Sequence, residues 1–304
     1  MERATEADVI YRQTMTFNDD ARLDTSKVRR AGGGKGIAVG GGVGVVAILL
    51  IGQLLDVDLS GLLGGGSAPQ STATGEDLSR CATGASANED VECRVVGAAT
   101  SLDEFWTDAY PSVGDNRYES TSVTLFSGQV QTACGRASSA VGPFYCPADQ
   151  LIYLDTDFYD ALRGSLGAQG GNLAQMYVIA HEWGHHISNL TGTMSAIDRE
   201  GTGPTSDGVR LELQADCYAG AWVAGASQTR DDAGTAFLKA PTQAEIADAL
   251  DTASAIGDDR IQERAGQVNP ETWTHGSSEQ RQQWFTTGFQ RGATACDTFA
   301  ADAL

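Results

Sequence analysis

Residues 37–55 read IAVGGGVGVVAILLIGQLL, nineteen positions without a charge. That is about the length of helix that crosses the hydrocarbon of a bilayer, and glycines that weaken a helix in water are common in membrane spans. Further along, the pattern becomes periodic. In residues 172–190 (NLAQMYVIAHEWGHHISNL), Leu173, Met176, Ala180 and Ile187 fall on one side of a helical wheel. Residues 210–223 (RLELQADCYAGAWV) predict a second helix. Residues 242–256 (TQAEIADALDTASAI) predict a third, opened by Thr242 with Glu245 three residues on, the signature of a reciprocal cap. Residues 279–291 predict a fourth, with Trp284 and Phe285 turned inward. Residues 121–126 (TSVTLF) and 151–155 (LIYLD) read as strands. The connection between them is rich in turn residues and holds Cys134, Gly142, Pro143 and Cys146. There is no internal repeat.

These elements predict an α+β fold, mostly helical with a short sheet, preceded by one transmembrane helix. Ser60 to Gly75 is dominated by Gly, Ser, Thr and Ala, the composition of a flexible tether. The expected division is a cytoplasmic N-terminal segment at 1–36, the span at 37–55, a linker at 56–75 and a folded domain at 76–304.

Charge sharpens this picture. The chain carries a net −20, and all of that negative charge lies after the apolar run, because residues 1–35 hold seven basic and six acidic side chains. A domain that acidic repels phosphate backbones, so nucleic acid is excluded as a partner. Lys27, Arg29, Arg30 and Lys35 precede the run, and Asp56 and Asp58 follow it. By the positive-inside rule the N-terminus is expected in the cytoplasm and the domain outside, as a single-pass protein of the cell membrane held through residues 37–55. The six cysteines, Cys81, Cys93, Cys134, Cys146, Cys217 and Cys296, point the same way. None forms a Cys-x-x-Cys pair, and an even, scattered set fits disulfides in an oxidising compartment. Fifteen pairings are possible. Proximity along the chain suggests Cys81–Cys93 and Cys134–Cys146, which leaves Cys217–Cys296.

The chemistry concentrates in the first predicted helix, where His181-Glu182-Trp183-Gly184-His185 forms an H-E-x-x-H. On a helix, positions i and i+4 project from one face, so both imidazoles can reach one Zn2+ ion. Glu182 stands beside the first ligand, placed to take a proton from a water at the ion. Gly184 costs about 1 kcal/mol relative to Ala inside a helix, which suggests a close approach to the metal or to a neighbouring strand. An open zinc site needs a third protein ligand. Glu212 in the second helix fills that role, and Asp216, four residues on, is placed to fix the tautomer of a ligating histidine. His275 and Arg281 are candidates to face a developing oxyanion. His186 is expected to pack or bond beside the site, without binding metal. A strand at the sheet edge beside the zinc helix would align an extended peptide.

Five separated blocks, HEWGHH, ELQADCYAG, GPFYCPADQLIYLD, IGDDRIQ and THGSSEQRQQWF, together resemble the bacterial neutral zinc metallopeptidases of the YpfJ type. The resemblance covers roughly residues 90 to 300. It implies a zincin-like domain with zinc on His181, His185 and Glu212, catalysis by Glu182, and an N-terminal polar segment, one membrane helix and an extracytoplasmic domain. The leading expectation is therefore a membrane-anchored zinc metalloendopeptidase acting on a peptide or protein substrate. Two other classes remain open: a zinc-stabilised cell-surface binding or assembly module without turnover, and a structural envelope protein without metal.

Overall fold

The structure, a computed structural model, describes residues 17–31, 78–198 and 201–304. The expected span at 37–55 and the linker at 56–75 lie outside the described residues. Among the described residues no helix is long and apolar enough to cross a membrane.

In chain order the elements are β1 (Val28–Arg30), α1 (Gly84–Glu89), α2 (Val91–Ala109), β2 (Val123–Leu125), β3 (Gln129–Thr132) and β4 (Gly135–Ser138). There follow β5 (Phe144–Cys146), β6 (Leu151–Leu154), α3 (Phe158–Gly164), α4 (Asn172–Leu190), α5 (Thr193–Ala196) and α6 (Asp207–Gly225). The chain closes with α7 (Gln243–Ala255), α8 (Asp258–Arg264) and α9 (Ser278–Arg291). The α+β, mostly helical expectation holds. The four helices read from periodicity are α4, α6, α7 and α9, and the capping box of α7 is present between Thr242 and Glu245. Helix α2 was not anticipated.

Strands β1, β2 and β6 run parallel, and β5 pairs antiparallel to β6 at the sheet edge, in the order β1-β2-β6-β5. Alternation divides the side chains between two faces. Val28, Val123, Ile152 and Tyr145 join the main core with α2 and α4. On the opposite face, Tyr153, Cys146 and Phe126 form a second, smaller core with Val130 and Ala137 of the β3–β4 hairpin. The disulfide Cys134–Cys146 ties that hairpin to β5.

Helix α6 lies between α4 and α9, and glycine permits both crossings. A Cβ on Gly184 would stand 2.8 Å from Ala215 Cα, so Gly184 serves the approach of α4 to a neighbouring helix, where the sequence suggested a metal or a strand. A Cβ on Gly288 of α9 would lie 1.8 Å from the Cys217 carbonyl oxygen of α6. The disulfide Cys217–Cys296 fastens α6 to the chain just after α9, and Cys81–Cys93 ties the segment before α1 to α2. All three pairings are those expected, two from proximity along the chain and Cys217–Cys296 as the pair left over.

The boundary at Glu76 needs correction. Residues 17–31 belong to the folded domain, since Phe17, Ala21, Leu23 and Val28 are buried in its main core and β1 completes the sheet. A short amphipathic arm shows no periodicity long enough to be recognised alone, and its partners lie more than fifty residues away.

Candidate metal centre

Helix α4 brings His181 and His185 to one face, and α6 crosses them with Glu212. The Nε2 of His181 lies 3.1 Å from Glu212 Oε2, and the Nε2 of His185 lies 3.5 Å from Glu212 Oε1. One ligand atom from each of the three residues falls within 4.8 Å of the others. Bonds of about 2.0–2.1 Å to a tetrahedral zinc would set ligand atoms about 3.3–3.4 Å apart. Two neutral imidazoles and a carboxylate at these separations fit that ion in chemistry and in size. The other such cluster among the described residues, Cys81, Asp90 and Cys93, has its two sulfurs joined in a disulfide and offers no thiolate.

The electrostatics favour a cation. Burial alone would lower the pKa of His181, but Asp216 and Glu212 outweigh it and push it up to about 10. Burial would raise Glu212, yet His185 and His181 hold it well below the usual carboxylate range. In a metal-free site a proton answers this demand for positive charge, and a zinc ion would satisfy it with both rings neutral.

Behind His181 stands a buried support. Its Nδ1 lies 2.8 Å from Asp216 Oδ1, which leaves Nε2 toward Glu212. Arg281 on α9 donates Nε to Asp216 Oδ2 at 2.8 Å and Nη2 to Oδ1 at 2.9 Å. Tyr177 donates its hydroxyl to Asp216 Oδ1, and Arg281 also donates to the carbonyl of Ile256. Burial would raise Asp216, but Arg281 and then His181 hold it below the usual range. Arg281 therefore sits on the Nδ1 side of His181, away from the Nε2 face where Glu212 stands. Its expected place facing an oxyanion is not what the fold provides, because Asp216 claims its guanidinium as a fork.

Glu182, also buried, sits between the two ligands in sequence; burial raises its carboxyl, opposed by His185 and His181. His275 stands in the loop before α9, near enough to Glu212 for their charges to interact. Its Nδ1 lies 3.3 Å from Asp258 Oδ1, and Asp258 Oδ2 accepts the backbone N–H groups of Thr274, His275 and Gly276. Burial would lower His275, but Asp258 and then the charge of Glu212 raise it. His186 turns away, as expected. It lies with Nε2 2.7 Å from the Glu119 carbonyl and Nδ1 3.0 Å from the Tyr145 hydroxyl, and burial lowers its pKa. Two supporting residues escaped the sequence reading. Tyr177 stands four residues before His181, a spacing that places it on the same helical face. Asp258 lies in the IGDDRIQ block, but no local pattern shows that it faces His275.

An H-E-x-x-H helix crossed by a helix that supplies a glutamate defines a zinc metallopeptidase-type site. The chain matches the family model described as "Putative neutral zinc metallopeptidase" over residues 11–299, and it belongs to that family. It is 48% identical over 259 residues to an uncharacterized protein of Mycobacterium tuberculosis strain H37Rv, covering 83% of this chain and 86% of that one. It is 36% identical over 267 residues to the uncharacterized protein YpfJ of Escherichia coli K12, covering 85% and 86%. No solved structure matches the chain.

Proposed function

We propose that the protein is a zinc-dependent endopeptidase that hydrolyses peptide bonds of a polypeptide outside the cytoplasm. The observation that carries this reading is the convergence of His181 Nε2, His185 Nε2 and the Glu212 carboxylate, with Glu182 buried in the same turn of α4. Bound there, zinc would supply Lewis acidity toward the scissile carbonyl and the attacking water. Glu182 accepts the proton of that water at its carboxylate and delivers it to the leaving amine. Asp216 accepts the Nδ1 proton of His181 and so holds the ring with Nε2 turned to the site. Arg281 keeps Asp216 ionised and in place, which makes it a positioning residue. His275, held by Asp258, is a donor for the developing oxyanion. Among the described residues strand β5 stands at an edge of the sheet with no strand beyond it, and it packs beside α4 through Tyr145, whose hydroxyl accepts from Asn189. An extended substrate added along that edge would be aligned by main-chain hydrogen bonds. The three disulfides support an oxidising compartment.

The test is Glu182→Gln, assayed with a peptide library alongside zinc analysis. The variant is expected to keep stoichiometric zinc and lose nearly all hydrolysis. Turnover retained by the metal-loaded variant would remove Glu182 as the base. A parent protein that holds zinc but cleaves nothing would instead favour a binding or assembly module.

A further inference from the structure

We propose that residues 17–31 fold in the same extracytoplasmic compartment as residues 78–304.

The arm is built into the domain at every step. Phe17 is 1% exposed, and its backbone N–H and carbonyl are both bonded to the Asn88 side chain, at 2.8 and 3.1 Å. Asn18 donates to the carbonyls of Phe237 and Ala236. Leu23 donates to the Ala82 carbonyl, and the Ala21 carbonyl accepts from Gly84. The domain has glycines where the arm lies. A Cβ at Gly97 would stand 2.4 Å from the Phe17 ring, and one at Gly84 would stand 2.0 Å from the Asn18 carbonyl oxygen. Val28, Arg29 and Arg30 then pair with Val123, Thr124 and Leu125.

Paired strands lie about 4.7–4.9 Å apart, whereas a bilayer core is about 30 Å thick. An arm on one face of a membrane cannot pair with a strand on the other. The two ends of the intervening chain also meet at one point. Arg30 and Arg80 each place a guanidinium nitrogen 2.5 Å from the same oxygen, Glu92 Oε2.

The charges that suggested a cytoplasmic flank have a different use in the fold. Lys27 pairs with Asp103 at 2.5 Å, Arg29 donates to Thr124 Oγ1 at 3.1 Å, and Arg30 pairs with Glu92. Of Lys27, Arg29, Arg30 and Lys35, which flank the apolar run, the first three bind the acidic domain itself. The compartment follows from the disulfides, one of which, Cys81–Cys93, holds the chain just where it rejoins the domain.

The experiment uses the full chain in intact cells and a membrane-impermeant maleimide. Ser26→Cys reports on the exposed arm and Asp232→Cys on the exposed domain surface. Labelling of both without permeabilisation is the expected result. Labelling of Asp232→Cys alone would place the arm across the membrane and overturn the proposal. Labelling of both only after permeabilisation would overturn the extracytoplasmic placement. A second measurement reads docking directly. Phe17→Ala in the full chain is expected to lower Tm by about 10 °C, as for a large core truncation. An unchanged Tm would show that the arm is not part of the folded domain.

Discussion

Helices α4 and α6 carry all three proposed zinc ligands between His181 and Glu212, and each helix is legible from its own sequence. The sheet gathers its strands from Val28 to Leu154, and its outer strand β1 comes from before the apolar run. The helical region concentrates chemistry on a few polar groups that must be satisfied together. The sheet and arm distribute stability over many apolar contacts, and they supply none of the proposed zinc ligands. Damage to the first should therefore appear in metal affinity and stability together, and damage to the second in stability alone.

Five substitutions sharpen or break this contrast. The largest expected effect is that of Glu212→Ala, which removes a bond to the ion and should abolish tight zinc binding in a chelator competition. Parent-like affinity in that variant would overturn the ligand set. Asp216→Ala should come next. Freeing the His181 ring is expected to weaken zinc by roughly 10–100-fold. Leaving Arg281 buried without its partner should also cost about 3–5 kcal/mol in denaturant unfolding. Adding Arg281→Met is expected to restore much of that stability without restoring the affinity. If the double variant recovered both, the role of Asp216 would be general packing and not ring orientation.

Val28→Ala tests the other region. Loss of buried methyl groups from β1 should cost about 2 kcal/mol and leave zinc affinity within twofold of the parent. A large change in affinity would mean that the sheet and site are coupled. The smallest effect concerns His275→Gln, compared with the parent in metal-free protein from pH 6 to pH 9. Asp258 and Glu212 raise the folded pKa of His275 above its usual 6.5. The folded state then binds the extra proton, so the stability it contributes is fully present below pH 6.5 and is lost as pH rises through the folded value. The gap between parent and variant should narrow with rising pH, and a gap that widens would mean that His275 is neutral in the fold.

The regions also differ in how far they could be read in advance. His181, Glu182 and His185 were legible because the i, i+4 spacing of a helix is itself the geometry of the site. Glu212 and Asp216 were legible because the same spacing repeats on α6, and the cap of α7 is a local three-residue bond. Arg281 was placed in the right neighbourhood and on the wrong side. Its chemistry suits both an oxyanion and a buried carboxylate, and the packing of α9 on α6, through Gly288 against Cys217, selects the carboxylate.

Sequence by itself indicated helices α4, α6, α7 and α9, the candidate metal-binding residues and the pairing of nearby cysteines, because each depends on periodicity, spacing or short loop closure. Tertiary structure alone decided that Tyr177 and Arg281 hold Asp216, that Asp258 holds His275, and that residues 17–31 complete the sheet. These contacts join segments far apart in the chain, and Lys27, Arg29 and Arg30 show why pattern could not settle them. Basic residues before an apolar run look the same whether they face a membrane or bind an acidic domain. Only the positions of Asp103, Thr124 and Glu92 in the folded protein distinguish the two.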